Sequence, residues 1–249
     1  MKIVIIMGGL ATRMKPFTQN IPKCMIDVQG KPLILHQIEF FRNQGFKDYI
    51  FCIAHLGEKV REFFGDGQQF GLHIEYSEER DDLRGTAGCV KLAEPLLSDE
   101  EDFIVYYGDC LIGMDVNRFV SFHREKKAIT SIVLRRTPIG YRGSSLITIG
   151  RDEKVETFLE KPSPEVFEGF RGRETYINCG MYALNKAVLD RIPQNVKCDF
   201  SRDVFPKIIE ETSRVYGYAT SDFFREIGRP EKYESLLQEC KTKKKESNR

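Results

Sequence analysis

Ile3-Val4-Ile5-Ile6-Met7-Gly8-Gly9-Leu10-Ala11-Thr12-Arg13-Met14 opens the chain, and Pro22-Lys23 follows after a short loop. The unbroken apolar run at 3–7 reads as a strand covered on both faces. It leads straight into a turn of small residues that carries an arginine. A backbone with almost no side chains lets a ligand come close, and its N–H groups suit phosphate oxygens. An arginine fork and a lysine point charge beside such a turn suggest a polyphosphate site, with a purely structural strand-to-helix turn as the equal alternative. Neither common phosphate motif fits. A P-loop needs Gly-Lys-Ser/Thr where Leu10-Ala11-Thr12-Arg13 stands, and the dinucleotide fingerprint needs a third spaced glycine.

The segments beyond this turn alternate in type. Pro32 opens a helix that ends before Gly45, and strands follow at 49–54, 72–76 and 103–107 with helices at 58–64 and 86–92 between them. The second half predicts a helix at 116–126 and a strand at 128–134. A hairpin at 146–149 and 155–159 follows, then strands at 176–184 and, last, 215–218. Helices are expected at 186–192, 203–211 and 230–240. The βαβα rhythm predicts one α/β domain over 1–240, a Rossmann-like mixed but mostly parallel sheet with helices on both faces. The lysine-rich residues 241–249 read as a basic, irregular tail.

The chain has 249 residues, 41% of them hydrophobic, and a net charge of +1. One large core is affordable, and nothing points to nucleic acid or an anionic membrane as partner. The seven cysteines are scattered and odd in number, without Cys-x-x-Cys, so neither a disulfide framework nor a thiolate metal site is expected. A reducing cytosol is the natural setting. The first apolar run is too short for a leader, and no segment is long enough to span a bilayer.

In open α/β sheets ligands bind beyond the carboxyl ends of the strands. Asp109, after Gly108 at the end of 103–107, is placed to hold Mg²⁺ against a nucleotide phosphate; a turn aspartate is the plainer reading. The motifs, taken together, resemble sugar-1-phosphate nucleotidylyltransferases. The resemblance rests on Gly8-Gly9-Leu10-Ala11-Thr12-Arg13-Met14, Pro22-Lys23, Gly30-Lys31-Pro32, Gly65-Asp66-Gly67 and Gly85-Thr86-Ala87-Gly88. It continues through Tyr107-Gly108-Asp109, Glu160-Lys161-Pro162, Asn178-Cys179-Gly180 and Ile227-Gly228-Arg229-Pro230-Glu231, and so covers nearly the whole chain.

What the resemblance implies is conversion of NTP and sugar 1-phosphate to NDP-sugar and pyrophosphate. Gly8, Gly9, Leu10, Ala11 and Thr12 would cradle the triphosphate with Arg13, while Lys23 would neutralise the α-phosphate. Gly85, Thr86 and Gly88 would lie against base and ribose, in room left by missing side chains. Lys161 would grip the sugar phosphate, with Gly143, Glu160 and Asn178 beside the sugar. Asp109 would bind Mg²⁺ with Glu226, which stands where the family usually has aspartate; Asp222 is the fallback. Read without the family, Glu160-Lys161 is a surface pair before a proline, and Asn178 an ordinary strand-end residue. Ala11 replaces a frequent glycine, which requires that its φ be negative. Mannose-1-phosphate guanylyltransferase-like members fit best and suggest GTP. Heptose-1-phosphate relatives and CTP-, UTP- or dTTP-dependent members stay open. So do a homo-oligomer and a silent regulatory relative. A glycosyltransferase is disfavoured, because Cys110-Leu111 follows Asp109 where Asp-x-Asp would be needed.

Overall fold

The structure, a computed structural model, describes residues 1–80, 83–137 and 144–246. Its first half runs β1 (Ile3–Ile6), the short pair β2 (Asp27–Val28) and β3 (Lys31–Pro32), α1 (Leu33–Asn43), β4 (Asp48–Ile53), α2 (Gly57–Phe64), β5 (His73–Glu78), α3 (Gly85–Leu92) and β6 (Asp102–Tyr107). Next come β7 (Cys110–Gly113), α4 (Val116–Glu125), β8 (Thr130–Arg136), β9 (Ser145–Ile149), β10 (Val155–Glu160) and α5 (Pro164–Gly169). The chain closes with β11 (Tyr176–Asn185), α6 (Phe205–Glu211), β12 (Val215–Thr220), β13 (Phe223–Glu226) and α7 (Pro230–Glu246).

Nine strands form one mixed sheet, in the order β10-β9-β11-β6-β1-β4-β5 with β8 and β12 branching from β11. Strand β1 lies parallel between β4 and β6, and β11 closes antiparallel on β6. The apolar run of β1 is explained by its two faces. Ile3, Ile5 and Met7 pack with α1, α2 and α4 side chains, while Val4 joins the opposite core with Ala87, Val90 and Phe205. Both layers are fully buried, as a parallel strand between helices requires.

A third, smaller core positions the functional loops. Met14, Ile26, Val28, Leu33, Leu111, Ile227, Tyr233 and Leu236 pack together. They tie the loop after β1 to the β7–β13 ribbon and to the first turns of α7. The Tyr233 hydroxyl donates to the Asp27 carbonyl at 2.5 Å and locks that joint.

Several boundaries differ from the sequence reading. The antiparallel ribbon β7–β13 is absent from it, because these four-residue strands lack a period long enough to register. Helix α7 runs on to Glu246, so residues 241–246 extend a helix; Lys, Thr and Glu there include no Pro or Gly to stop it. At 200–211 a π-helical turn, Phe200–Val204, precedes α6. Among the described residues, no helix is long and apolar enough to cross a membrane.

Candidate active site

Past the carboxyl ends of β1 and β6 lies a cleft of about 690 Å³. Arg13, Asp109, Glu160, Lys161, Asn178 and Glu226 all line it. The fold thus brings together residues spread over more than two hundred positions. Gly143 falls in 138–143, outside the described residues.

The turn after β1 is shaped by backbone. Gly8 packs so tightly that a Cβ there would stand 2.9 Å from Ala54 Cβ and 3.0 Å from Glu79 Oε2. Ala11 takes φ +45° and ψ +33°, left-handed rather than negative in φ, so the sequence expectation is corrected. Its carbonyl accepts from the Met14 N–H at 2.9 Å and the Thr18 hydroxyl at 3.0 Å, and these two bonds hold the conformation. Among the described residues, none accepts from the N–H groups of Gly8, Gly9, Leu10 or Ala11, which leaves a row of donors for an anion. Arg13 sits in the one-turn 3₁₀ helix Thr12–Met14, exposed toward the cleft.

Lys23 Nζ lies 2.5 Å from Asp109 Oδ2, with the two side chains only 16% and 29% exposed. Glu226 is the register partner of Cys110 across the ribbon, and the Ile227 N–H donates to the Asp109 carbonyl at 2.9 Å. Both carboxylates are near enough to Cys110 that, with burial as the larger cause, they push its thiol well up. Two hard oxygen donors are fewer than a divalent ion needs, so they would suit a small ion that takes its other ligands from phosphate and water. Asp222 stands at the far end of β13, bonded to Thr220 Oγ1 at 2.6 Å, and does not line the cleft.

The glycines of Gly85-Thr86-Ala87-Gly88 have a different cause from the one expected. A Cβ on Gly85 would meet Cys198 O at 2.6 Å, and one on Gly88 would meet Val196 O at 3.1 Å. Gly85 also has φ +75°. The room left by the missing side chains is filled by the chain's own 196–199 backbone. Asp199 Oδ1 accepts from the Thr86 N–H and hydroxyl at 3.1 and 3.2 Å, and Cys198 O accepts from the Ala87 and Gly88 N–H groups, capping α3.

On the other side of the cleft, Lys161 has φ +51° just past β10, held by its N–H bond to Ser144 O at 2.7 Å. Glu160 is half-buried, and burial pushes its pKa up against the pull of Lys161 and Arg202. Asn178 sits at a register shift of β11 on β8 that ends at Tyr182. Its amide donates to Tyr182 Oη at 2.7 Å and Ser201 Oγ at 3.3 Å, and its Oδ1 accepts from Gly180 N–H at 2.9 Å. Such bulges re-aim residues beside a site. Arg229 is exposed just before α7.

The structure adds cleft residues that the sequence reading missed. Arg135, Arg225 and Lys232 line the cleft, and Glu79 borders the Gly8 turn. Glu79 escaped because the strand prediction stopped at 76, whereas β5 runs to Glu78 and puts Glu79 at a carboxyl end. Burial raises the Glu79 pKa, against the Arg84 N–H bond at 2.5 Å and the Arg84 charge.

Comparison with known proteins bears on this geometry. The model of the family described as "Nucleotidyl transferase" matches residues 2–243. A Synechocystis UTP--glucose-1-phosphate uridylyltransferase is 34% identical over 94% of this chain and 61% of its own length. A Mycobacterium tuberculosis mannose-1-phosphate guanylyltransferase is 30% identical over 92% and 62%. The chain thus spans somewhat over three-fifths of the curated relatives it matches. HddC from Yersinia pseudotuberculosis, crystallised with GMP-PN, superposes with a TM-score of 0.78 at 26% identity, covering 96% of this chain and 98% of that one. The motifs, the sheet and these matches agree: the chain belongs to the nucleotidyl transferase family.

Proposed function

We propose that the chain joins an NTP to a sugar 1-phosphate, releasing pyrophosphate, and that it favours GTP with a mannose- or heptose-type sugar. The observation that carries the reaction class is one cleft lined by Arg13 and Lys161, with Lys23 bonded to Asp109 on its wall. A sugar phosphate oxygen attacks the α-phosphorus in line; the new P–O bond forms as the bond to the β-phosphate bridge breaks. The nucleophile is already an anion, so bringing two anions together is the main difficulty, and positioned cations answer it. The N–H groups of Gly8 to Ala11 and Arg13 would hold the departing pyrophosphate, and Lys161 the incoming phosphate. Asp109 and Glu226 would hold Mg²⁺, which when bound supplies charge neutralisation at the phosphates.

Glu79 supports guanine. One carboxylate oxygen is taken by the Arg84 N–H, and the other faces the Gly8 turn. Guanine offers adjacent N–H donors to such an acceptor, whereas uracil and thymine flank a single N–H with carbonyls that a carboxylate repels. UTP is the second reading, favoured by the 34% identity to the Synechocystis enzyme. A pyrophosphate-release assay crossing GTP, UTP, CTP, dTTP and ATP with a panel of sugar 1-phosphates decides between them. GTP turnover with mannose 1-phosphate or a heptose 1-phosphate is expected. No turnover with any pair would leave a regulatory nucleotide-sugar binder. Glu79→Gln should lower the GTP-to-UTP ratio of kcat/KM by about 10-fold, one hydrogen bond's worth of discrimination. A cytosolic setting fits the seven free cysteines, all buried except the half-buried Cys240.

A further inference from the structure

Both carboxylates read as metal ligands already have a cation. Asp109 Oδ2 bonds Lys23 Nζ at 2.5 Å, and Glu226 Oε2 bonds Lys232 Nζ at 2.5 Å. The lysines come from distant segments, the 3₁₀ turn Lys23–Met25 and the first turn of α7. They are nevertheless held in one frame. Tyr233, next to Lys232, packs in the small core with Ile26 and donates its hydroxyl to Asp27 on the segment that follows Lys23. The pairs differ in depth: Lys23 and Asp109 are 16% and 29% exposed, Lys232 and Glu226 48% and 39%.

A divalent ion approaching these oxygens meets two ammonium groups at contact distance from them, so it must displace both or bind beside like charge. A polyphosphate changes that balance. It offers both ammonium groups a new anionic partner, because Lys232 lines the cleft with Arg13 and Lys161 while Lys23 is bonded to Asp109 on the cleft wall, and it brings phosphate oxygens for the ion. We propose that Lys23 and Lys232 are built-in counter-ions that keep divalent metal off Asp109 and Glu226 until a nucleotide draws them away. The metal then enters with the nucleotide and not before it. Lys232 acts through Glu226 and is a positioning residue. The inference rests on the reading of Asp109 and Glu226 as the metal carboxylates.

The coupling is a free energy shared by two ligands, so it is reciprocal and measurable without turnover. The test is a Mn²⁺ titration of the full chain, with and without a non-hydrolysable GTP analogue, followed by water-proton relaxation to separate protein-bound ion from ion on free nucleotide. Wild type should bind Mn²⁺ alone at least about 5-fold more weakly than in the presence of the analogue. Lys232→Gln should tighten the binding of Mn²⁺ alone by about 5-fold and shrink the coupling, whereas Lys232→Arg should behave as wild type. A folded Lys232→Gln, its circular dichroism unchanged, with Mn²⁺ affinity alone within about 2-fold of wild type overturns the counter-ion role. A distinct result overturns the metal reading with it: Mn²⁺ binding, with analogue present, that is undetectable in wild type or unaltered by Asp109→Asn.

Discussion

Strand β6 carries an aspartate at its amino end and another just past its carboxyl end, and the two stand in opposite surroundings. Asp102 accepts from Asn185 Nδ2 at 2.9 Å and faces His123 Nε2 at 3.6 Å, in a closed pocket where His123 is 1% exposed. Asp109 pairs with Lys23 at 2.5 Å on the wall of an open cleft. The same residue type on one strand is thus enclosed among packed elements at one end and set on the wall of the cleft at the other. The physical reason is what surrounds each end. At the amino end, α4 and the end of β11 close over the polar groups; at the carboxyl end, loops leave room for a ligand.

Exchange of the two roles would break this comparison. Asp109→Ala should lower kcat about 10³-fold while leaving the melting temperature near wild type, because on the proposed reading it removes a carboxylate that would hold the charge-neutralising Mg²⁺ in a partly open site. Retained activity would sink the metal assignment. Next in size, Lys161→Ala should raise the KM for sugar phosphate by about 10- to 100-fold, the loss of a charge-assisted hydrogen bond, with little change in the KM for nucleotide. A rise confined to the nucleotide KM would assign Lys161 to the other substrate.

At the amino end, Asp102→Ala should destabilise the fold by about 1–3 kcal/mol by stranding the Asn185 amide, with both KM values unchanged. Its neighbour sharpens the point with pH. Burial lowers the His123 pKa, outweighing the upward pull of Asp102. The unfolded chain then takes up a proton that the folded one refuses. This contribution to stability is full above about pH 6.5, the unfolded value, and is lost as pH falls toward the lowered folded pKa. Urea midpoints between pH 8 and pH 5 should show the loss, and His123→Asn should remove that part of the slope. An identical slope in the variant would clear His123 of the role. The smallest effect concerns strain in the cleft loop. Ala11→Gly relieves a left-handed alanine at some cost in unfolded-chain entropy, so thermal unfolding should report a gain of about 0.5–1 kcal/mol. No gain would mean that the bonds to Met14 and Thr18 absorb the strain.

How much of this was legible beforehand depended on range. The turn at Gly8 to Arg13 with Lys23 is a local pattern that suggests a phosphate site from its own few residues, whereas Asp109 and the Glu160-Lys161 pair gain their expected roles only from the order of motifs along the whole chain. Arg135, Arg225 and Lys232 were not, because nothing local separates them from solvated surface charges. Ala11 and Gly85 were misjudged for the same reason. Their backbone angles and neighbours are imposed by Thr18 and by residues 196–199, far off in one case and folded back in the other.

The sequence by itself determined the family, the βαβ order and the end of the sheet at which the cleft opens, since hydrophobic period and turn chemistry act over a few residues. Only the tertiary structure decided which charges face one another. It put Glu226 across from Cys110, closed the 196–199 segment over α3, and set a lysine on each of the two carboxylates. Those pairings depend on strand register and on a small core shared by both ends of the chain, and neither leaves a local mark in the sequence.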